Sequence, residues 1–156
     1  MLGLQLGFAY DAGALVADGE RPPSRPGSVR EYVPSALPGA RVPHAWVTRA
    51  GERISTLDLF AYDRFTLVTG PAGRSWVGAV SSAVPIDYVT VGDDVHDERG
   101  QWMDLLGIDA DGAVLVRPDQ HVAWRSRGGV TDAAATLTRV LALTLAVTSR
   151  TAEGMR

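Results

Sequence analysis

The 156 residues include no cysteine. Disulfides, thiolate metal sites, CxxC redox chemistry and a cysteine nucleophile are all excluded, because each needs a sulfur the chain does not have. Lysine is absent too, so the 15 basic residues are all arginine, a skew that with the many Ala, Gly, Val and Asp residues fits a GC-rich bacterial coding sequence. No run approaches the roughly 18 consecutive apolar residues of a membrane span, and Met1 to Tyr10 lacks the basic flank of a signal peptide. The expected location is the cytoplasm, with no membrane partner. A net charge of −3 leaves no basic footprint, so no nucleic-acid partner is expected either. There is also no GxGxxG after a strand pattern to receive a dinucleotide pyrophosphate at a helix N-terminus.

What is present is one domain's worth of chain with 46% apolar residues, enough to bury a core. Leu2, Leu4, Leu6 and Phe8 alternate with polar or small residues, the period of a half-buried strand. From Ala17 to Arg41 prolines recur too often for regular structure, as in Arg21-Pro22-Pro23 and Pro38-Gly39. Residues 1–41 thus divide off as a strand plus an extended arm, residues 42–150 as the compact domain, and 151–156 as a tail.

Within the compact part, Pro43 to Val47 reads as a strand, Gly51-Glu52 as a turn, and Ile54 to Thr56 as extended. Thr56 to Phe60 reads as a short helical turn capped by Ser55 or Thr56. Phe65 to Thr69 is β-branched and aromatic enough for a central strand. Gly70-Pro71-Ala72-Gly73 breaks it and leads into Arg74 to Val84, where Trp76, Val77, Val80 and Val84 share a helical face. Pro85 to Gly92 is a second strand, giving a βαβ unit with parallel strands. A short helix around Trp102, Leu105 and Leu106 stops at Gly107. Ala113 to Arg117 and His121 to Arg125 flank a Pro118-Asp119-Gln120 turn as a hairpin. A last helix, capped at Thr131-Asp132, carries Leu137, Val140, Leu141, Leu145 and Val147 toward the sheet.

Strand, helix, strand, helix, hairpin and terminal helix is the order of a thioredoxin-like α/β domain, a central mixed sheet with flanking helices. The stretch Gly70 to Trp76 resembles the place where thioredoxins and peroxiredoxins carry the reactive cysteine, and Gly112-Ala113 the place of their cis-proline. Both hallmarks are missing, which makes the domain redox-inactive.

The runs Gly39 to Val47, Ser55 to Phe60, Phe65 to Gly70 and above all Gly112 to Arg125 resemble the C-terminal domain of FAD-dependent aromatic-ring hydroxylases, the class A flavin monooxygenases. Leu4 to Asp11 resembles the segment leading out of their flavin domain. The resemblance implies a parent enzyme that uses FAD and NADPH to hydroxylate an aromatic ring, a flavin-binding domain as partner, and no cofactor, metal or catalytic residue in this chain. Its implied role is structural, with pairing of the apolar arms into a homodimer as one outcome. The competing class is a free-standing module that holds a small aromatic ligand or a protein.

For that class the candidate ligand or interface residues are Gly70, Gly73, Arg74, Ser75, Trp76 and Trp124. The glycine-rich turn offers backbone N–H groups and an arginine to an anion, against the plainer reading of a turn left by loss of the redox cysteine. Asp93, Asp94, His96, Asp97 and Glu98 collect hard ligands, but no metal spacing matches and a solvated acidic loop is the preferred reading. His44 and His121 read as hydrogen-bonded, partly buried strand residues whose neighbours Trp46 and Trp124 fill core or interface. No Ser-His-Asp set is nominated.

Overall fold

The structure is a computed structural model that describes residues 35–80 and 85–153, with side chains described through residue 146. The expected leading strand and most of the arm lie outside the described residues.

Strand β3 (Phe65–Thr69) is the spine. It pairs in parallel with β4 (Ile86–Thr90), Phe65 opposite Ile86 and Thr69 opposite Thr90. On its other side it pairs antiparallel with β5 (Ala113–Val116), which pairs antiparallel with β6 (Val122–Ser126). The order is β4-β3-β5-β6, so the βαβ unit and the hairpin expected from the sequence share one mixed sheet. Helix α1 (Arg74–Gly78) lies between β3 and β4, α2 (Gln101–Leu106) between β4 and β5, and α3 (Ala133–Glu153) follows β6. Ahead of them β1 (Trp46–Arg49) and β2 (Glu52–Ser55) form a separate antiparallel hairpin, then a 3-10 turn over Thr56–Leu59. Ser55 caps that turn, its Oγ accepting the Leu57 N–H at 3.2 Å.

Alternation along the strands divides the core in two. Val68, Val114, Val116 and Val122 face Val47, Phe60, Trp102 and Leu106, while Leu67, Leu115 and Trp124 face Trp76, Leu137 and Val140. Period two explains this except in β6. There Leu115 pairs with Trp124 and Val116 with Val122, leaving Ala123 as the extra residue of a bulge. The bulge puts Ala123 and Trp124 into the same cluster under α3.

Three local expectations need correction. Helix α1 ends at Gly78 and does not run on to Val84; Gly73 supplies no side-chain cap, and Gly78 costs helix entropy that one buried anchor, Trp76, does not offset. Residues 81–84 lie outside the described residues. The first strand begins at Trp46, three residues later than Pro43, because Pro43 has no N–H and the Ala45 N–H is taken by Thr56 Oγ1 at 3.0 Å. Finally, Ala36 and Leu37 are buried, and the backbone bonds Gly39 N–H to Val122 O (2.8 Å) and Val42 N–H to Gln120 O (2.9 Å) lay residues 39–42 along β6. The packed body therefore includes residues before Val42.

Two glycines separate backbone freedom from close approach. A Cβ on Gly112 would strike the carbonyl oxygen of Arg127, whereas one on Gly78 meets nothing within 4 Å. Gly112→Ala is expected to cost about 1–3 kcal/mol and Gly78→Ala to stabilise by about 0.5–1 kcal/mol. Thermal unfolding of the two variants checks this, and equal shifts of one sign would contradict the packing described.

Candidate functional site

At the carboxyl end of β3 the chain turns through Gly70 to Gly73. Here a Cβ on Gly70 would collide with the carbonyl of Ala110, so only glycine lets this turn lie flat on residues 109–112. The Gly70 N–H donates to Gly112 O at 3.2 Å, the Ala72 N–H to Ala110 O at 2.8 Å and the Gly73 N–H to Gly70 O at 2.9 Å. All three donors are engaged by backbone carbonyls.

Just beyond, Trp76 is fully buried and its indole N–H donates to Asp111 O at 2.8 Å. Its ring meets Trp124 edge-on, with centroids 5.3 Å apart and planes at 66°. Of the six candidate residues, the structure brings Gly70, Gly73, Trp76 and Trp124 into one packed corner and leaves Arg74 and Ser75 exposed. The two tryptophans fill the core beneath α3.

In the acidic segment after β4, Asp94 and Asp97 serve the backbone. Asp94 Oδ2 accepts the Thr90 N–H at 2.8 Å, and Asp97 Oδ2 accepts from Trp102 (2.8 Å) and Met103 (3.0 Å), capping the first turn of α2. Glu98 Oε1 accepts the Thr48 hydroxyl at 3.4 Å. His96 and Thr48 exchange backbone bonds of 2.8 and 3.0 Å, which ties the segment to β1. Among the described residues no three His, Asp or Glu side chains converge as a metal-holding group.

The histidine expectation holds only in part. His121 Nδ1 lies 3.1 Å from Asp119 O in the hairpin turn. His44, however, is exposed, edge-on to a Trp46 that is itself 53% exposed beneath the Arg53 guanidinium. Pairing in β1 turns Val47 inward, so Trp46 faces out. Among the described carboxylates, Asp63, in the loop before β3, is held below the usual range chiefly by its hydrogen bond to Arg64.

The sequence reading missed an open cleft of about 580 Å³. Pro71, Val91, Met103 and Ala110 give it apolar walls, and Thr48, His96, Asp97 and Glu98 a polar rim. Its residues come from segments spread between 48 and 110, so no motif spacing announces it. The one local sign is Gly92, whose φ of +100° lets the chain pass against Pro71.

A flavin nucleotide does not fit these features. The turn's amide donors are engaged, the five-residue α1 offers no long dipole, and the cleft's rim is acidic where a pyrophosphate needs positive charge. Asp97 is instead a positioning group for α2, and Asp97→Ala is expected to cost about 1 kcal/mol. Chemical denaturation checks this; an unchanged midpoint would remove the capping role.

The aromatic-ring hydroxylase, C-terminal family model matches residues 35–146. Phenol 2-monooxygenase of Pseudomonas sp. (strain EST1001) is 37% identical over 147 residues, 89% of this chain and 24% of that protein. Aklavinone 12-hydroxylase RdmE of Streptomyces purpurascens is 40% identical over 141 residues, 87% of this chain and 26% of that protein. Among solved structures, the flavin-dependent monooxygenase PieE in complex with FAD and substrate is similar at a TM-score of 0.81 and 40% identity, over 92% of this chain and 26% of that one. The chain spans about a quarter of the length of the curated relatives it matches.

Proposed function

Because the chain belongs to the aromatic-ring hydroxylase C-terminal family, we propose that it serves as the redox-inactive, thioredoxin-like accessory domain of an FAD- and NADPH-dependent aromatic-ring hydroxylase. The observation that carries this reading is the match to the C-terminal quarter of such enzymes at 40% identity and a TM-score of 0.81. The thioredoxin-like description is supported by the strand order β4-β3-β5-β6, with a βαβ unit ahead of a hairpin and a terminal helix. Where thioredoxins carry thiol and cis-proline, this chain has Gly70 to Trp76 and Gly112-Ala113, and all of its peptide bonds among the described residues are trans.

The role is structural. The domain packs against the flavin-binding part of the enzyme, and the apolar residues of the arm contribute to a homodimer in the cytoplasm. No described helix is long and apolar enough to cross a membrane. FAD and NADPH belong to the flavin-binding part, and this chain holds neither.

Native mass spectrometry of the product from its source cells tests the reading. The expected particle has two subunits, each about four times the 156 residues here, the ratio implied by the 24–26% coverage. FAD added to the 156-residue chain is expected to keep its free fluorescence. A native subunit of 156 residues, or saturable quenching of FAD by the chain, would contradict the accessory role. A monomer at every concentration would remove the dimer.

A further inference from the structure

Beside the closed turn lies the open cleft between Pro71, Gly92, Met103 and Glu98. We propose that it is a binding site for a small organic cation: an amine or guanidinium carried on an aromatic or branched apolar body.

Topology places it. Strands β3 and β4 are parallel and end at Thr69 and Thr90; Pro71 and Gly92, two residues beyond each, stand on the cleft wall. Open α/β sheets take their ligands outside the carboxyl ends of parallel strands, where loops diverge and leave a crevice. The volume of about 580 Å³ suits a small molecule.

The walls and rim decide the class. Val91 and Met103 give an apolar floor that favours a hydrocarbon body. On the rim, Asp97 and Glu98 each use one carboxylate oxygen, Asp97 Oδ2 toward α2 and Glu98 Oε1 toward Thr48. Asp97 Oδ1 and Glu98 Oε2 have no hydrogen-bond partner among the described residues and remain as acceptors. An anion meets two carboxylates, while the neighbouring amide donors of Gly70, Ala72 and Gly73 are already taken. A cation meets charge-assisted acceptors beside an apolar floor.

The test uses the full 156-residue chain, labelled with nitrogen-15 and titrated with benzylamine, benzyl alcohol and benzoate. Benzylamine is expected to give saturable amide shifts at Gly92, Met103 and Ala110. Binding of the alcohol should be at least about fivefold weaker, and benzoate should give no shift. Glu98→Gln, an exposed change, should weaken benzylamine about fivefold and leave the alcohol unchanged. Linear, unsaturable shifts, equal binding of amine and benzoate, or indifference to Glu98→Gln would each overturn the assignment. A glycine-arginine-glycine tripeptide binding more tightly than benzylamine would also overturn it, by making a protein side chain the occupant.

Discussion

Trp76 sits where three parts of the molecule meet. Its indole N–H reaches Asp111 O at 2.8 Å, its ring edge meets Trp124, and its remaining surface lies under α3. Burying a tryptophan removes on the order of 200 Å² from water, about 5 kcal/mol at 25 cal/mol per Å². The net gain from its hydrogen bond is about 1 kcal/mol. Burial therefore supplies the driving force, while the hydrogen bond avoids the penalty of an orphaned N–H. Asp111 has to present its carbonyl at the right place, which in turn fixes how the 109–112 segment lies against the Gly70 turn.

That constraint shapes the carboxyl end of the sheet. The Gly70 turn closes onto Ala110 because Gly70 has no Cβ to strike that carbonyl, and Gly112 in the same way lets the 109–112 segment lie against the Arg127 carbonyl. Closure engages the donors with which such a turn could hold an anion. Beside it, β4 ends at Thr90 and the chain passes through Gly92 into an acidic segment held to β1 by the bonds between His96 and Thr48. One half of the sheet end is sealed by backbone pairing; the other stays open between an apolar floor and two carboxylates.

The parts legible in the sequence were those with strong local causes. The limits of β3 follow from its β-branched run and the Gly-Pro break, the β5-β6 hairpin from Pro118 at its turn, and the stop of α2 from Gly107, whose φ is +63°. The parallel pairing of β3 with β4 followed from a helix between two strands. What escaped depended on partners distant in sequence. The length of α1 is decided by how few residues it buries, not by its own periodicity. The bulge at Ala123 is visible only from the register with β5, and residues 36–42 join the body through β6 despite Pro38. Gly70, Gly73, Trp76 and Trp124 share one packed corner, but nothing local in the sequence distinguishes a tryptophan lining a pocket from one filling a core. The cleft needed the fold before it could be seen.

The central claim is that the turn after β3 is a closed structural joint. Native-state hydrogen exchange reads it directly, because amides hydrogen-bonded into a closed joint exchange only when the joint opens. The Gly70 and Ala72 amides should exchange as slowly as those of β3 itself. Exchange at the rate of an exposed loop, with β3 still protected, would show a turn open to ligands and would contradict the account.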